Sequence, residues 1–204
     1  EEVTCDGLPS GHKTVELWLP QRHGTVRMRS LLVDGGSNVE ASPDDRPKWV
    51  AYGSSITHCA QARSPACTWP AIAARAKGMN LTCLGYGGNC HIEPMVARVI
   101  RDREADFISL KLGINVYGAA SLGPRTFKAA VIGLVRIIRE AHADTPIVVI
   151  SPIASPPRET TRNPAGFTLQ GMRDDVEDAV RRMQDTCGDS AIRYVDGLKL
   201  FGPD

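Results

Sequence analysis

Several things are missing from this 204-residue sequence, and each absence narrows the reading. No apolar run approaches the roughly 20 residues that a membrane-spanning helix needs. The formal net charge is only +1, so no excess of charge argues for nucleic acid or a membrane surface as partner. The six cysteines, at 5, 59, 67, 83, 90 and 187, include no C-x-x-C pair, which weakens a zinc or thioredoxin-type reading. Cys59 and Cys67 could bridge a loop, but buried free thiols are favoured over a disulfide. No secretory signal opens the chain, no internal repeat or low-complexity tract interrupts it, and no Gly-rich loop has the phosphate spacing followed by Lys and Ser or Thr. The first residue is Glu rather than Met, so the start is read as a processed or trimmed end. The expectation is a soluble protein of unassigned oligomeric state, with a cytoplasmic location favoured over secretion.

What is present reads as one domain plus a small appendage. The composition, 42% hydrophobic and 23% charged, is that of a globular protein able to bury a core. Near the start, "KTVELWLP" and "TVRMRSLLV" alternate around "QRHG", which predicts a short β-hairpin. The Gly-, Ser-, Pro- and Asp-rich "DGGSNVEASPDDRP" follows as a linker. A hairpin and linker over 1–45, followed by a main domain over 46–204, is the expected division.

From Lys48 onward short apolar strands alternate with helical segments. "KWVAYG", "LTCLGYGG", "ADFISLKLG", "PIVVISPI" and "IRYVDG" read as strands. "WPAIAARAKG", "EPMVARVIRDRE", "GPRTFKAAVIGLVRIIREAH" and "FTLQGMRDDVEDAVRRMQDT" read as the helices between them. Five such strands predict an α/β fold with a five-stranded parallel sheet covered on both faces. Ligands of such sheets bind beyond the carboxyl ends of the strands.

The strand exits therefore carry the chemistry. The first leads into Gly53-Ser54-Ser55, the second into Gly85-Tyr86-Gly87-Gly88-Asn89, the third into Gly113-Ile114-Asn115. A serine hydroxyl is a weak nucleophile until a base takes its proton and donors receive the developing oxyanion. Ser55, in a turn between strand and helix, is the candidate nucleophile. Gly88 can bring its N–H close to a substrate because it has no side chain. Asn115 adds an amide NH₂ donor. Each feature alone fits a cap or a tight turn; three at successive strand exits converge on one edge.

On these residues the sequence resembles the SGNH (GDSL-like) hydrolases, serine esterases and acylhydrolases on a flavodoxin-like α/β/α sandwich. "GSS" matches the first family block, with Ser55 at the nucleophile position. Gly88 in "LGYGGN" matches the second and Asn115 in "GIN" the third. The resemblance covers about residues 48 to 200. "YGSSITHC" and "LGYGGNCHIEP" look like a subgroup with a β-sandwich before the hydrolase domain, of which the hairpin would be the remnant. The resemblance implies an oxyanion hole from the N–H groups of Ser55 and Gly88 and the side chain of Asn115. It implies no metal or organic cofactor. The substrate class it suggests is a small acyl ester, with an O-acetylated carbohydrate as first choice.

Two positions depart from the family. Ser54 stands where an Asp is usual. The last block, Asp-x-x-His, finds only "DGLK", Asp196 to Lys199, and a lysine with an ordinary pKa near 10.4 is a poor base at neutral pH. The expectation is that the chain is incomplete, with the catalytic Asp and His in a loop and closing helix beyond residue 204. Among the histidines present, His91 is the best substitute base or substrate contact, and His58 follows it. His142 falls on the opposite edge, and His12 and His23 in the hairpin. "RDDVEDAVRRMQD" and "RDRE" read as solvated faces, and "PPRETTRNPAG" as a loop at the active edge. The alternative function is a catalytically incomplete acyl- or glycan-binding module on the same fold.

Overall fold

Every strand in this protein is an apolar run too short to fold alone, so each is stabilised by its neighbours in one sheet. The structure is a computed structural model in which residues 4–21 and 26–203 are described. The strands are β1 (Lys48–Gly53), β2 (Asn80–Gly85), β3 (Phe107–Lys111), β4 (Ile147–Ile150) and β5 (Ile192–Val195). They pair in parallel in the order β2-β1-β3-β4-β5, with Gly53 opposite both Gly85 and Lys111. This is the flavodoxin-like order, and its switch point lies between β1 and β3.

Among the described residues, six α-helices accompany the sheet: α1 (Ser55–His58), α2 (Trp69–Ala76), α3 (Pro94–Arg101), α4 (Ile114–Ala119), α5 (Phe127–Arg139) and α6 (Leu169–Cys187). The long ones form where the periodicity places them. Thr68 caps α2 and Thr168 caps α6 through their side-chain oxygens, and Gly188 ends α6 in a left-handed conformation. Two short helices, α1 and α4, follow the first and third strand exits. Asn115 is therefore helical, not in a turn as its surroundings suggest.

The main core lies where α3, α5 and α6 meet one face of the sheet. It includes Val50, Tyr52, Ile108, Leu110, Val131, Leu134, Met172 and Val176. A smaller cluster of Trp49, Ala51 and Ala74 forms under α2 on the other face. The alternation along β1 divides its side chains between the two.

The N-terminal expectation is not met. No strand forms before Lys48 among the described residues. The expected turn falls largely on residues 22–25, which lie outside the described residues, as does His23. Val15, Leu17, Leu19, Met28 and Leu32 are all exposed. Alternating residues specify a strand only when a second layer buries one of their faces, and a lone hairpin is marginal in water. The segment instead touches the domain through Trp18, whose ring Arg75 overlies at 5.9 Å, and through Gln21.

The cysteine expectation holds in part. All six thiols are free, but only Cys90 is buried.

Candidate active site

The first strand exit owes its geometry to Ser54. Its hydroxyl accepts a hydrogen bond from the Ile56 N–H at 3.3 Å and caps α1. Ser54 is buried, while Ser55, the first helical residue, is exposed at the sheet edge. The residue that replaces the family's Asp is thus a helix cap, and the serine beside it is exposed.

The second exit reaches Ser55 because Gly85 lets α1 lie directly on β2. A Cβ there would sit 2.3 Å from the His58 backbone nitrogen. The loop that follows runs alongside: the Cβ position of Gly87 is 3.7 Å from Ser55 Cβ and 3.4 Å from His58 Nδ1. Gly88 has φ of +78°, a conformation costly for any residue with a side chain, and its Cβ position faces open space.

The third exit turns at Gly113, with φ of +113°, into α4. Asn115 Oδ1 accepts the Cys90 N–H at 3.1 Å. Only the oxygen of an amide can accept from a backbone N–H, so this contact fixes which way the side chain faces. Its NH₂ is left to donate elsewhere. The fold thus brings Ser55 against the Gly87–Gly88 loop and joins that loop to Asn115.

The histidines are disposed differently. His58 Nε2 donates to the Gln21 carbonyl oxygen. His91 Nδ1 lies 2.9 Å from Ser121 Oγ, at the mouth of an apolar groove of about 450 Å³ lined by Ile92, Leu122, Ala130 and Leu134. Neither imidazole is hydrogen-bonded to Ser55 among the described residues. His142 is buried on the opposite edge, against Thr145 and the Ile100 carbonyl, as expected. Asp196 caps a single 3-10 turn, Gly197–Lys199, by accepting the Leu198 N–H at 3.0 Å, and Lys199 is exposed. Asp196 therefore has a local structural use. Among the described residues, no group of three His, Cys, Asp or Glu side chains could hold a metal ion.

Three features escaped the sequence reading. Arg173 was assigned to a solvated face, yet it is buried. Its guanidinium meets Glu159 in a fork, at 2.6 and 2.8 Å, and also donates to the Pro152 and Ile153 carbonyls. This ties the Pro-rich loop to the sheet edge, and Asn163 secures its far end on the Tyr117 carbonyl. The signal was available: Arg173 falls in the buried stripe of Leu169, Met172, Val176 and Val180. Lys111 is 94% buried at the end of β3 (6% exposed), and burial pushes its pKa down to about 8. Glu93, joined to Tyr52, is the third, and its spacing in the sequence gives no hint of that contact.

Fold and edge chemistry together define a flavodoxin-like α/β/α protein with a hydroxyl, a glycine loop and an amide at its switch point. Residues 47–202 match the family described as GDSL-like Lipase/Acylhydrolase, and the chain belongs to that family. No curated protein sequence matches it. Among solved structures, the salicylyl-acyltransferase SsfX3 from a tetracycline biosynthetic pathway is 37% identical, with a TM-score of 0.76 over 83% of this chain and 48% of its own. A putative GDSL-like lipase from Bacteroides ovatus is 25% identical, with a TM-score of 0.67 over 81% of this chain and 47% of its own. A family two carbohydrate esterase from Clostridium thermocellum, 17% identical with a TM-score of 0.61 over 79% of this chain and 57% of its own, shares the fold. The chain spans about half the length of the first two.

Proposed function

We propose that this chain carries the nucleophile and oxyanion hole of a serine acyl-ester hydrolase. Ser55 Oγ attacks the ester carbonyl and forms a tetrahedral adduct. The N–H groups of Ser55 and Gly88 and the Asn115 NH₂ receive its oxyanion. The alcohol leaves, and water then releases the acyl group from Ser55. An imidazole oriented by a carboxylate moves the proton at each step. His58 and His91 are engaged with Gln21 and Ser121, and this reading assigns the base to neither. The observation that carries the reading is the Asn115–Cys90 contact, which ties the amide to the loop beside Ser55 through its oxygen and leaves the NH₂ to donate. The substrate class is an ester of a small acyl group, with an O-acetylated carbohydrate as its alcohol part.

A second reading concerns the acceptor. The 37%-identical neighbour is named as an acyltransferase, which favours an alcohol in place of water in the second half-reaction. Both share the acyl-Ser55 intermediate.

The test uses the full natural protein and p-nitrophenyl acetate. Ser55→Ala abolishes turnover; retained turnover removes Ser55 as nucleophile, whereas no turnover by the wild type favours a non-catalytic binding module. Asn115→Ala lowers kcat by roughly 10²–10³, the usual cost of one oxyanion donor. A change confined to KM makes Asn115 a binding residue only.

A further inference from the structure

The loop that carries Gly88 ends in a strained residue. Ile92 has φ of +65°, a left-handed conformation that a β-branched side chain adopts only under constraint. The constraint is visible. Three successive backbone N–H groups are each received by a side-chain oxygen. Cys90 donates to Asn115 Oδ1 at 3.1 Å, His91 to Glu93 Oε1 at 3.2 Å, and Ile92 to Tyr52 Oη at 3.2 Å. Tyr52 in turn donates to Glu93 Oε2 at 2.7 Å.

The proton bookkeeping is self-consistent. Tyr52 Oη accepts from Ile92, so its own hydrogen goes to Glu93. An ionised Glu93 uses one oxygen for His91 and the other for Tyr52. Tyr52 is fully buried on β1, in the sheet core, and meets Tyr86 edge-on at 6.0 Å, where the same loop begins. Burial pushes its phenol pKa upward, which keeps the hydroxyl a donor. The anchor is therefore a rigid strand, and it grips the loop at both ends.

We infer that Tyr52 and Glu93 are positioning residues for the oxyanion hole: they hold the 86–92 loop so that the Cys90 N–H locks the Asn115 amide and the Gly88 N–H keeps its place beside Ser55. The inference rests on the acyl-hydrolase reading of Ser55, Gly88 and Asn115. Neither Tyr52 nor Glu93 is assigned contact with substrate. Their effect passes through Asn115 and Gly88, so it falls on the step that develops the oxyanion. Ground-state binding is left nearly unchanged.

The experiment measures p-nitrophenyl acetate turnover by the full natural protein and its variants, with thermal melts to check folding. Glu93→Ala and Tyr52→Phe each lower kcat by roughly 10–100-fold, the range expected when a catalytic group is misplaced by about 1 Å, with KM little changed. Glu93→Gln recovers only part of kcat, because its amide oxygen accepts either the His91 N–H or the Tyr52 hydroxyl and its NH₂ cannot accept the other. The double variant Glu93→Ala/Asn115→Ala loses less than the two single losses combined, since part of the Glu93 effect passes through Asn115. Tyr52→Phe keeps the ring and its contact with Tyr86, so it serves as the readout if Glu93→Ala does not fold. Unchanged kcat in the folded variants overturns the inference, as does a Glu93→Ala loss that adds in full to that of Asn115→Ala. Either result leaves the Ser55 reading intact if Ser55→Ala is dead. Turnover that survives Ser55→Ala overturns the reading itself and the positioning role with it.

Discussion

The protein's two regions invert each other's burial. Residues 48–203 bury a lysine; residues 4–21 and 26–47 expose their leucines. Lys111 is 6% exposed in β3, whereas Leu17 is 69% and Leu32 is 81% exposed. Both segments contain apolar alternation. The difference is a second layer. Each strand from β1 to β5 has hydrogen-bonded neighbours and, on at least one face, helices to pack on. Among the described residues, the N-terminal segment meets the rest through isolated contacts such as Trp18 with Arg75 and Asp44 with Asn80. Alternation describes a surface that can be buried; a partner decides whether it is.

The sharpest way to break this comparison is to remove apolar volume from the ordered region. Leu110 is fully buried in β3, between β1 and β4. Leu110→Ala destabilises by about 2–5 kcal/mol, from lost transfer energy and the cavity left behind. Urea denaturation of wild type and variant checks this. A loss under 1 kcal/mol means that the centre of the sheet is not the cooperative core.

The ordered region was legible where one local signal sufficed. The strands were continuous apolar runs, and the helices repeated every three to four residues. Ser55, Gly88 and Asn115 stood out as candidates because small and polar residues recur where strands end. What the sequence hid was non-local. Tyr52 meets Glu93 across 41 positions of chain. Arg173 meets Glu159 across 14, and its charge disguised its place in the buried stripe of α6. The helices α1 and α4 are too short for periodicity to declare. The hairpin failed for the opposite reason: its local pattern was strong, but no described neighbour supplies the face it needs.

Lys111 sharpens the comparison from its polar side. Its folded pKa, about 8, lies below the ordinary value of 10.5 because burial disfavours the ammonium. Between these values the unfolded chain binds more protons, so stability rises with pH across that window. Below about pH 8 both states are protonated and the penalty is fully present, on the order of 3 kcal/mol. Lys111→Met is therefore more stable than wild type at pH 7, and the difference shrinks as pH rises toward 10.5. Urea midpoints at pH 7, 8, 9 and 10 test this. Two curves that stay parallel mean that Lys111 titrates alike in both states.

The smallest effect belongs to the N-terminal segment. Leu17 and Leu19 flank Trp18 in sequence and are exposed, at 69% and 57%. Replacing both with Ser removes almost no area that folding takes from water. The expected change in stability of the 48–203 region is within about 0.5 kcal/mol, the usual range for exposed sites. Urea midpoints of the chain with and without the two substitutions measure it. A loss above 1 kcal/mol would show that these leucines are covered in solution, and the contrast between the two regions would then be one of partners present, not of partners lacking. A null result paired with a large Leu110→Ala loss places the cooperative unit within residues 48–203, where the parallel sheet and its helices bury each other.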